Sequence, residues 1–461
     1  MPPGSRHDPD ACGQISLLLR QGQLVVTGVK QGIGWVNEMR LSNARTPESD
    51  DLVDLTLADG RITDIVPATG GAPADGEDGL NLAGRLVLPG FVETHLHLDK
   101  AHLDSLEPNP DGTLAGAIAV TGRLKADFDH EGMAERARRV LDAAIAHGTT
   151  LIRAHPDVDP IVGTMGVEVL AELRREYAGR IDLQIVAFPQ EGIEKAPGTL
   201  GLMRRAIELG ADVVGGCTYN EADVASCERH VLAAYDLAAE HDLPLDLHAD
   251  FADDICDERY AMASFIARTA LDRGYEGRVA LGHMTSLGSL AGHEREVLLK
   301  ELAAARVAVV LLPHTDLHLG GRSDAADVRR GMAPLRALWD ADVPTGFSSN
   351  NVRNAFTPYG NADMLETGLF LAQTAHLGSP DDLRRVVRMA TEGAAAVAGI
   401  EATYGLRVGA AADLVVLDAP DEVSALLDRA PRRYVFKAGR LVAESEHTVT
   451  LHDPSTERNP R

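Results

Sequence analysis

A repeating strand–helix rhythm constrains this chain more than any other feature. Short β-branched or apolar runs occur at Leu86–Val92, Thr149–Arg153, Ile181–Ala187, Asp212–Val214, Leu245–Leu247, Val279–Leu281, Val307–Leu312 and Val343–Phe347. Most are spaced by roughly 30 residues, the length of one strand–helix unit in a parallel barrel. The intervening stretches are amphipathic. In one, Ala137, Val140, Leu141, Ala144 and Ile145 share a helical face, and Gly148 is placed to stop the helix. Eight such runs precede a helical tail at Pro380–Ala398, which predicts a (β/α)8 TIM barrel over residues 86–400.

Both flanks read differently. Ser16–Thr27 is rich in Leu and Val, and Asp51–Val66 alternates apolar and polar residues around a turn at Asp59-Gly60. A loose Gly/Ala/Pro/Asp stretch, Ala68–Gly79, follows. Ala412–Leu417 and Tyr434–Val442 are again strand-like, with a turn at Ala438-Gly439. Residues 14–85 and 401–450 are therefore expected to meet in one small β-sandwich.

Charge and cysteine content remove several function classes. With 69 acidic against 44 basic residues the formal charge is −25, which disfavours binding to nucleic-acid phosphates or an anionic membrane. No apolar run approaches the roughly 18 residues of a membrane span, and Met1–Gly13 lacks the apolar stretch of a secretory signal. Cys12, Cys217, Cys227 and Cys256 are too scattered for a disulfide framework. A reduced, cytoplasmic protein acting on a small molecule is expected, with a large binding scaffold as the rival class.

In a parallel barrel, chemistry sits at the C-terminal ends of the strands. Strand one ends in His95-Leu96-His97, strand two in Arg153-Ala154-His155, strand three in Phe188-Pro189-Gln190, and strand four near Thr218 and Tyr219. Strand five ends in His248-Ala249-Asp250, strand six in Gly282-His283, strand seven in Pro313-His314, and strand eight in Ser348-Ser349-Asn350-Asn351. His-x-His on a strand puts both rings on one face. With His248 across the barrel mouth, three imidazoles form a donor set for one divalent ion such as Zn, Fe, Co or Mn. His155 and His314 read as pocket lining, Lys100 as an ion-pair partner for Asp99, and Cys217 as packing.

Leu88-Pro89-Gly90-Phe91-Val92-Glu93-Thr94-His95-Leu96-His97-Leu98-Asp99 resembles the opening motif of the amidohydrolase superfamily, and Val408–Leu417 resembles its returning sandwich strand. Ile181–Ile193, Ala211–Gly215, His318-Leu319 with Gly321-Arg322, and Pro358 with Gly360, Ala362 and Met364 are similar to the cytosine deaminase branch, in whose neighbourhood molinate hydrolase-type members also stand. The resemblance covers roughly residues 50 to 445. It implies that His95, His97 and His248 hold the metal, that His283 polarises or shuttles protons, and that Gln190 and His318 meet the substrate. It also implies assembly into a homo-oligomer. The strand-four end has no lysine to bridge a second ion, so a mononuclear site is expected.

The resemblance breaks at two positions. The family's strand-eight aspartate falls on Asn350, which can ligate through oxygen but cannot take a proton. Its acid–base glutamate falls on Phe251, which can do neither; with Phe356 it gives the pocket apolar walls. Asp250 is the candidate replacement base. The expected reaction is cleavage of a non-peptide C–N bond (amide, cyclic amide, carbamate or thiocarbamate) in a small neutral molecule by a metal-bound hydroxide. Deamination of cytosine or a related N-heterocycle, and a catalytically silent scaffold, are the alternatives.

Overall fold

The computed structural model describes residues 17–20, 23–26, 38–70 and 79–452. Eight parallel strands form the barrel in chain order: Phe91–Leu96, Thr149–Ala154, Asp182–Ala187, Val213–Cys217, Leu245–Ala249, Val279–His283, Ala308–Leu311 and Thr345–Phe347. They are called strands one to eight below. Strand eight returns to strand one through the bridge between Leu96 and Asn350, which closes the ring. Two backbone hydrogen bonds reinforce that closure: His97 N–H donates to the Asn350 carbonyl (2.9 Å), and Asn350 N–H to the His95 carbonyl (3.0 Å).

The helices cover the barrel as the periodicity requires. In helix His130–Ala146 the apolar stripe Ala137, Val140, Leu141, Ala144 and Ile145 is buried, and the Asp129 side chain caps its N-terminus by accepting from Gly132 N–H. The predicted tail at Pro380–Ala398 is two helices, Pro380–Met389 and Glu392–Ala398, broken at Thr391.

A second sheet joins the two flanks of the chain. Its order is Arg440–Glu444, Arg432–Lys437, Leu414–Leu417, Leu86–Pro89, Glu38–Thr46, Ser49–Ala58 and Arg61–Pro67, with Gly79–Asn81 also pairing with Glu38–Thr46. Leu41, Leu55, Ile62, Val87, Leu414, Val416 and Phe436 form its core. The turns at Asp59-Gly60 and Ala438-Gly439 both have positive φ at their two residues, the backbone that matches strand twist in a two-residue hairpin. Leu17–Arg20 and Gln23–Val26 form a separate two-stranded sheet.

One boundary shifts from the sequence reading. The run Leu86–Val92, read as the first barrel strand, is divided at Gly90: Leu86–Pro89 pairs with Leu414–Leu417 in the second sheet, and the barrel begins at Phe91. A β-carbon at Gly90 would overlap the Thr150 side chain, so this crossing between the sheets needs glycine. Continuous hydrophobicity could not reveal the division, because both halves are buried.

Candidate active site

Strand one carries His95 and His97 into the barrel mouth, and strand five brings His248 to meet them. The His248 Nε2 atom lies 3.1 Å from His95 Nε2 and 3.2 Å from His97 Nε2. Nitrogen ligands of a tetrahedral ion at ordinary zinc–nitrogen lengths would stand about 3.3 Å apart, so this nest already has the size of such a site. All three rings are buried. Desolvation, followed by the neighbouring imidazoles and, for His97, Lys100, holds their pKa values well below the usual histidine range and keeps the lone pairs unprotonated. His97 Nδ1 donates to the His155 carbonyl (2.8 Å), fixing the tautomer that leaves Nε2 bare. The buried Asn350 Oδ1 has no hydrogen-bond partner. Asn350 has φ 59°, a left-handed backbone that asparagine tolerates better than most residues. This donor set fits one divalent cation.

Beneath the nest, His155 stacks on His95 with ring centroids 3.8 Å apart. Asp246 Oδ1 lies 3.2 Å from His155 Nε2 and 3.7 Å from His95 Nδ1. Its other oxygen accepts from Arg153 Nη1 (2.9 Å), and Arg153 also donates to Gln184 Oε1 (3.0 Å) and the Val397 carbonyl (2.9 Å). Arg153 is 1% exposed and Asp246 is fully buried, so the floor of the site is a buried ion pair.

Above the nest is a narrow chamber. His97, His248, His283, Gln190, Asn350 and Asn351 line its polar side, with Lys100 and Thr315. Leu114, Tyr219, Phe251 and Phe356 supply its apolar side. None of these lining residues is an aspartate or glutamate. His283 stands at the end of strand six with a left-handed backbone (φ 74°). Phe251 stacks on its ring with centroids 4.1 Å apart, and Asp316 Oδ1 lies 2.7 Å from its Nδ1.

Gln190 Oε1 accepts from Lys100 Nζ (3.3 Å), and its amide nitrogen lies 3.7 Å from Cys217 Sγ. Lys100 does not pair with Asp99 as expected. Its ammonium is 2.5 Å from Asp157 Oδ1, and Asp157 is shared with Lys125 at 2.6 Å. Asp99 instead accepts from Asp157 N–H (3.0 Å), and burial pushes its carboxyl up to about 6.

Asp250 turns away from the expected catalytic task. Strand five ends at Ala249 and Asp250 has φ 52°, so the alternation that would have aligned it with His248 is broken. Its oxygens accept from Met262 N–H (2.8 Å) and Ala263 N–H (3.1 Å), holding the start of helix Ala263–Arg273. Burial pushes its carboxyl up to about 6. His318, on helix Pro313–Leu319, meets Tyr359 with ring centroids 5.6 Å apart and lies outside the chamber lining. His314 packs on Phe370 rather than facing the chamber. Strand ends alone did not indicate Asp316, Asp246, Leu114 or Thr315, since none is at the tip of a strand.

The family model described as Amidohydrolase family matches residues 78–443. The chain belongs to the amidohydrolase family. Along with this nest, membership makes it a metal-dependent hydrolase of C–N bonds other than peptide bonds. This amidohydrolase is 30% identical to the N-isopropylammelide isopropyl amidohydrolase of Pseudomonas sp. (strain ADP), over 89% of this chain and 98% of that one. It is 32% identical to the pterin deaminase of Rhizobium rhizogenes (strain K84 / ATCC BAA-868), over 87% and 90%. Among solved structures, the 5-methylcytosine deaminase of Klebsiella pneumoniae with 5-fluorocytosine superposes with a TM-score of 0.86 at 31% identity, covering 91% of this chain and all of that one. These similarities agree with the superfamily and branch inferred from the motifs, and with the barrel and its separate sheet.

Proposed function

We propose that this amidohydrolase hydrolyses the bond between a ring carbon and an amine substituent in a small, largely neutral nitrogen heterocycle. The observation that carries the reading is the chamber itself: a three-imidazole nest beside His283, with amide donors on one wall and aromatic faces on the other. The named relatives support the substrate class, since ammelide, pterin and 5-methylcytosine are all nitrogen heterocycles. His95, His97 and His248 would hold the ion, with the Asn350 oxygen beside them. Zinc is the first choice because neutral nitrogen donors suit a borderline cation, with Fe, Co and Mn as alternatives. When bound, the ion supplies Lewis acidity and an activated water.

The chain's own groups do the rest. Lys100 holds Gln190 by its oxygen, so the Gln190 amide nitrogen and the Lys100 ammonium present donors to an acceptor edge of the ring. Phe251 and Phe356 cover apolar faces and exclude water. His283 takes a proton from the attacking water and returns it to the departing nitrogen as the C–O bond forms and the C–N bond breaks. The protein is read as a cytoplasmic homo-oligomer, which sizing of the purified enzyme and cell fractionation would check.

The test is a screen of alkylamino- and amino-heterocycles, cyclic amides and carbamates on metal-loaded enzyme, reading amine or ammonia release. About one divalent ion per chain and release of amine are expected. His95→Ala should lose both ion and turnover. Chain that takes up no ion, or fully loaded chain that turns over no compound of these classes, would refute the reading.

A further inference from the structure

The hydrolase reading asks one histidine to move protons, and a free imidazole is a poor instrument for that. Either nitrogen can carry the proton, and the ring can turn about two side-chain bonds. His283 has neither freedom. Its Nδ1 lies 2.7 Å from Asp316 Oδ1, and Asp316 is fully buried. The carboxylate is itself fixed, because its second oxygen accepts from Leu312 N–H at 3.2 Å. Phe251 covers one face of the ring, 4.1 Å between centroids and 26° from parallel. The backbone at His283 and Met284 is left-handed, with φ of 74° and 58°. Two consecutive non-glycine residues in that region carry strain that the surrounding contacts must hold.

We propose that Asp316 is the positioning residue of this site: it holds the His283 ring with Nδ1–H toward itself and the bare Nε2 toward the chamber. Burial raises the Asp316 carboxyl, and the His283 ring and the Leu312 N–H work against that rise; held as a carboxylate it can only accept, so the proton between the two groups belongs to Nδ1. Nε2 is then the one nitrogen able to receive the proton of the attacking water. Asp316 keeps its charge throughout and stabilises the ring while it carries two protons, as the buried aspartate of a catalytic triad does. The deduction rests on the hydrolase reading for its catalytic consequence, but not for the tautomer.

Zinc-loaded enzyme labelled with 15N at histidine, with His283 assigned by loss of its signals in His283→Gln, reads the tautomer directly. A protonated Nδ1 and a bare Nε2 are expected in the wild type. Asp316→Asn removes the charge at constant shape, and Asp316→Ala removes the acceptor. Both should mix or invert the tautomers while zinc content stays at the wild-type level; Asp316→Asn keeps an acceptor for the Leu312 N–H and should melt near wild type, whereas Asp316→Ala frees that N–H and should melt lower. Once a substrate is in hand, both should lower kcat by about 10²–10⁴ with KM within about threefold, and Asp316→Glu should recover part of the loss. A wild-type ring protonated on Nε2 overturns the proposal and leaves the hydrolase reading standing. So does a tautomer unmoved in both variants. Loss of zinc in both variants also overturns it, by placing the role of Asp316 in the nest rather than in His283. Absence of turnover on every substrate class defeats the hydrolase reading and leaves the tautomer result intact.

Discussion

Replacing Arg153 with methionine tests the floor of the site. The side chain is buried among three acceptors: Asp246 Oδ2, Gln184 Oε1 and the Val397 carbonyl. Its removal leaves the buried Asp246 carboxylate facing only the His155 and His95 rings, and breaking one side of a buried pair typically costs about 3–5 kcal/mol. Asp246 has an escape, because it can take a proton. At about pH 7, protonating a carboxyl of ordinary pKa near 3.9 costs about 4 kcal/mol, which caps the charge penalty. The unpaired Val397 carbonyl adds about 1–3 kcal/mol at any pH. Arg153→Met should therefore lose about 4–6 kcal/mol at about pH 7. The sign of the pH dependence follows. With Arg153 gone, burial, the largest influence on Asp246, should lift its folded pKa above the unfolded value, so the penalty is present at high pH and relieved as pH falls toward the unfolded pKa. About 2.5–3 kcal/mol of it should disappear between about pH 7 and about pH 5. Urea unfolding at both pH values, with chelator in every sample so that metal linkage is absent, reads both numbers. Adding Asp246→Asn to Arg153→Met should restore most of the loss at about pH 7. A penalty below about 1 kcal/mol, or one indifferent to pH, would refute the buried-pair reasoning.

Three further substitutions separate structure from chemistry. Gly90→Ala should destabilise by about 2 kcal/mol or more through its clash with Thr150, seen as a lower urea midpoint. Asp250→Asn should retain most of kcat, while Asp250→Ala should cost about 1–2 kcal/mol through the two freed N–H groups of Met262 and Ala263; a collapse of kcat in stable Asp250→Asn would restore it as the base. Burial raises the Glu221 carboxyl, but the His230 hydrogen bond and the Glu194 and Lys195 amides outweigh burial and hold it below its ordinary 4.5. The stability it contributes is present above 4.5 and lost as pH falls below it, so Glu221→Gln should flatten the acid limb of the unfolding curve.

The residues that sequence placed well are those governed by short-range periodicity. Two-residue alternation put His95 and His97 on one face, and the strand ends brought His248, His283, Gln190 and Asn350 to one mouth. Misplaced residues lie one step beyond the reach of that rule. Asp250 follows the last residue of strand five, where a left-handed φ replaces extended backbone and turns the carboxylate elsewhere. Lys100 was assigned its neighbour Asp99, whereas the fold supplies Asp157 from the next strand end. Asp316 sits within a helix, 33 residues from the histidine it holds. Partnerships between loops depend on where the chain returns, and no local pattern encodes that.

The closing bond of the barrel has a consequence for how the enzyme is held together. Asn350 joins strand eight to strand one through the backbone of His95 and His97 themselves, so shutting the cylinder also braces two of the three histidines of the nest. Any ion captured there acts as a clasp, drawing the equilibrium toward the shut ring by mass action. Chelation should therefore loosen the two strands furthest apart in sequence before any others, and exchange of the amide hydrogens of His97 and Asn350 would report it.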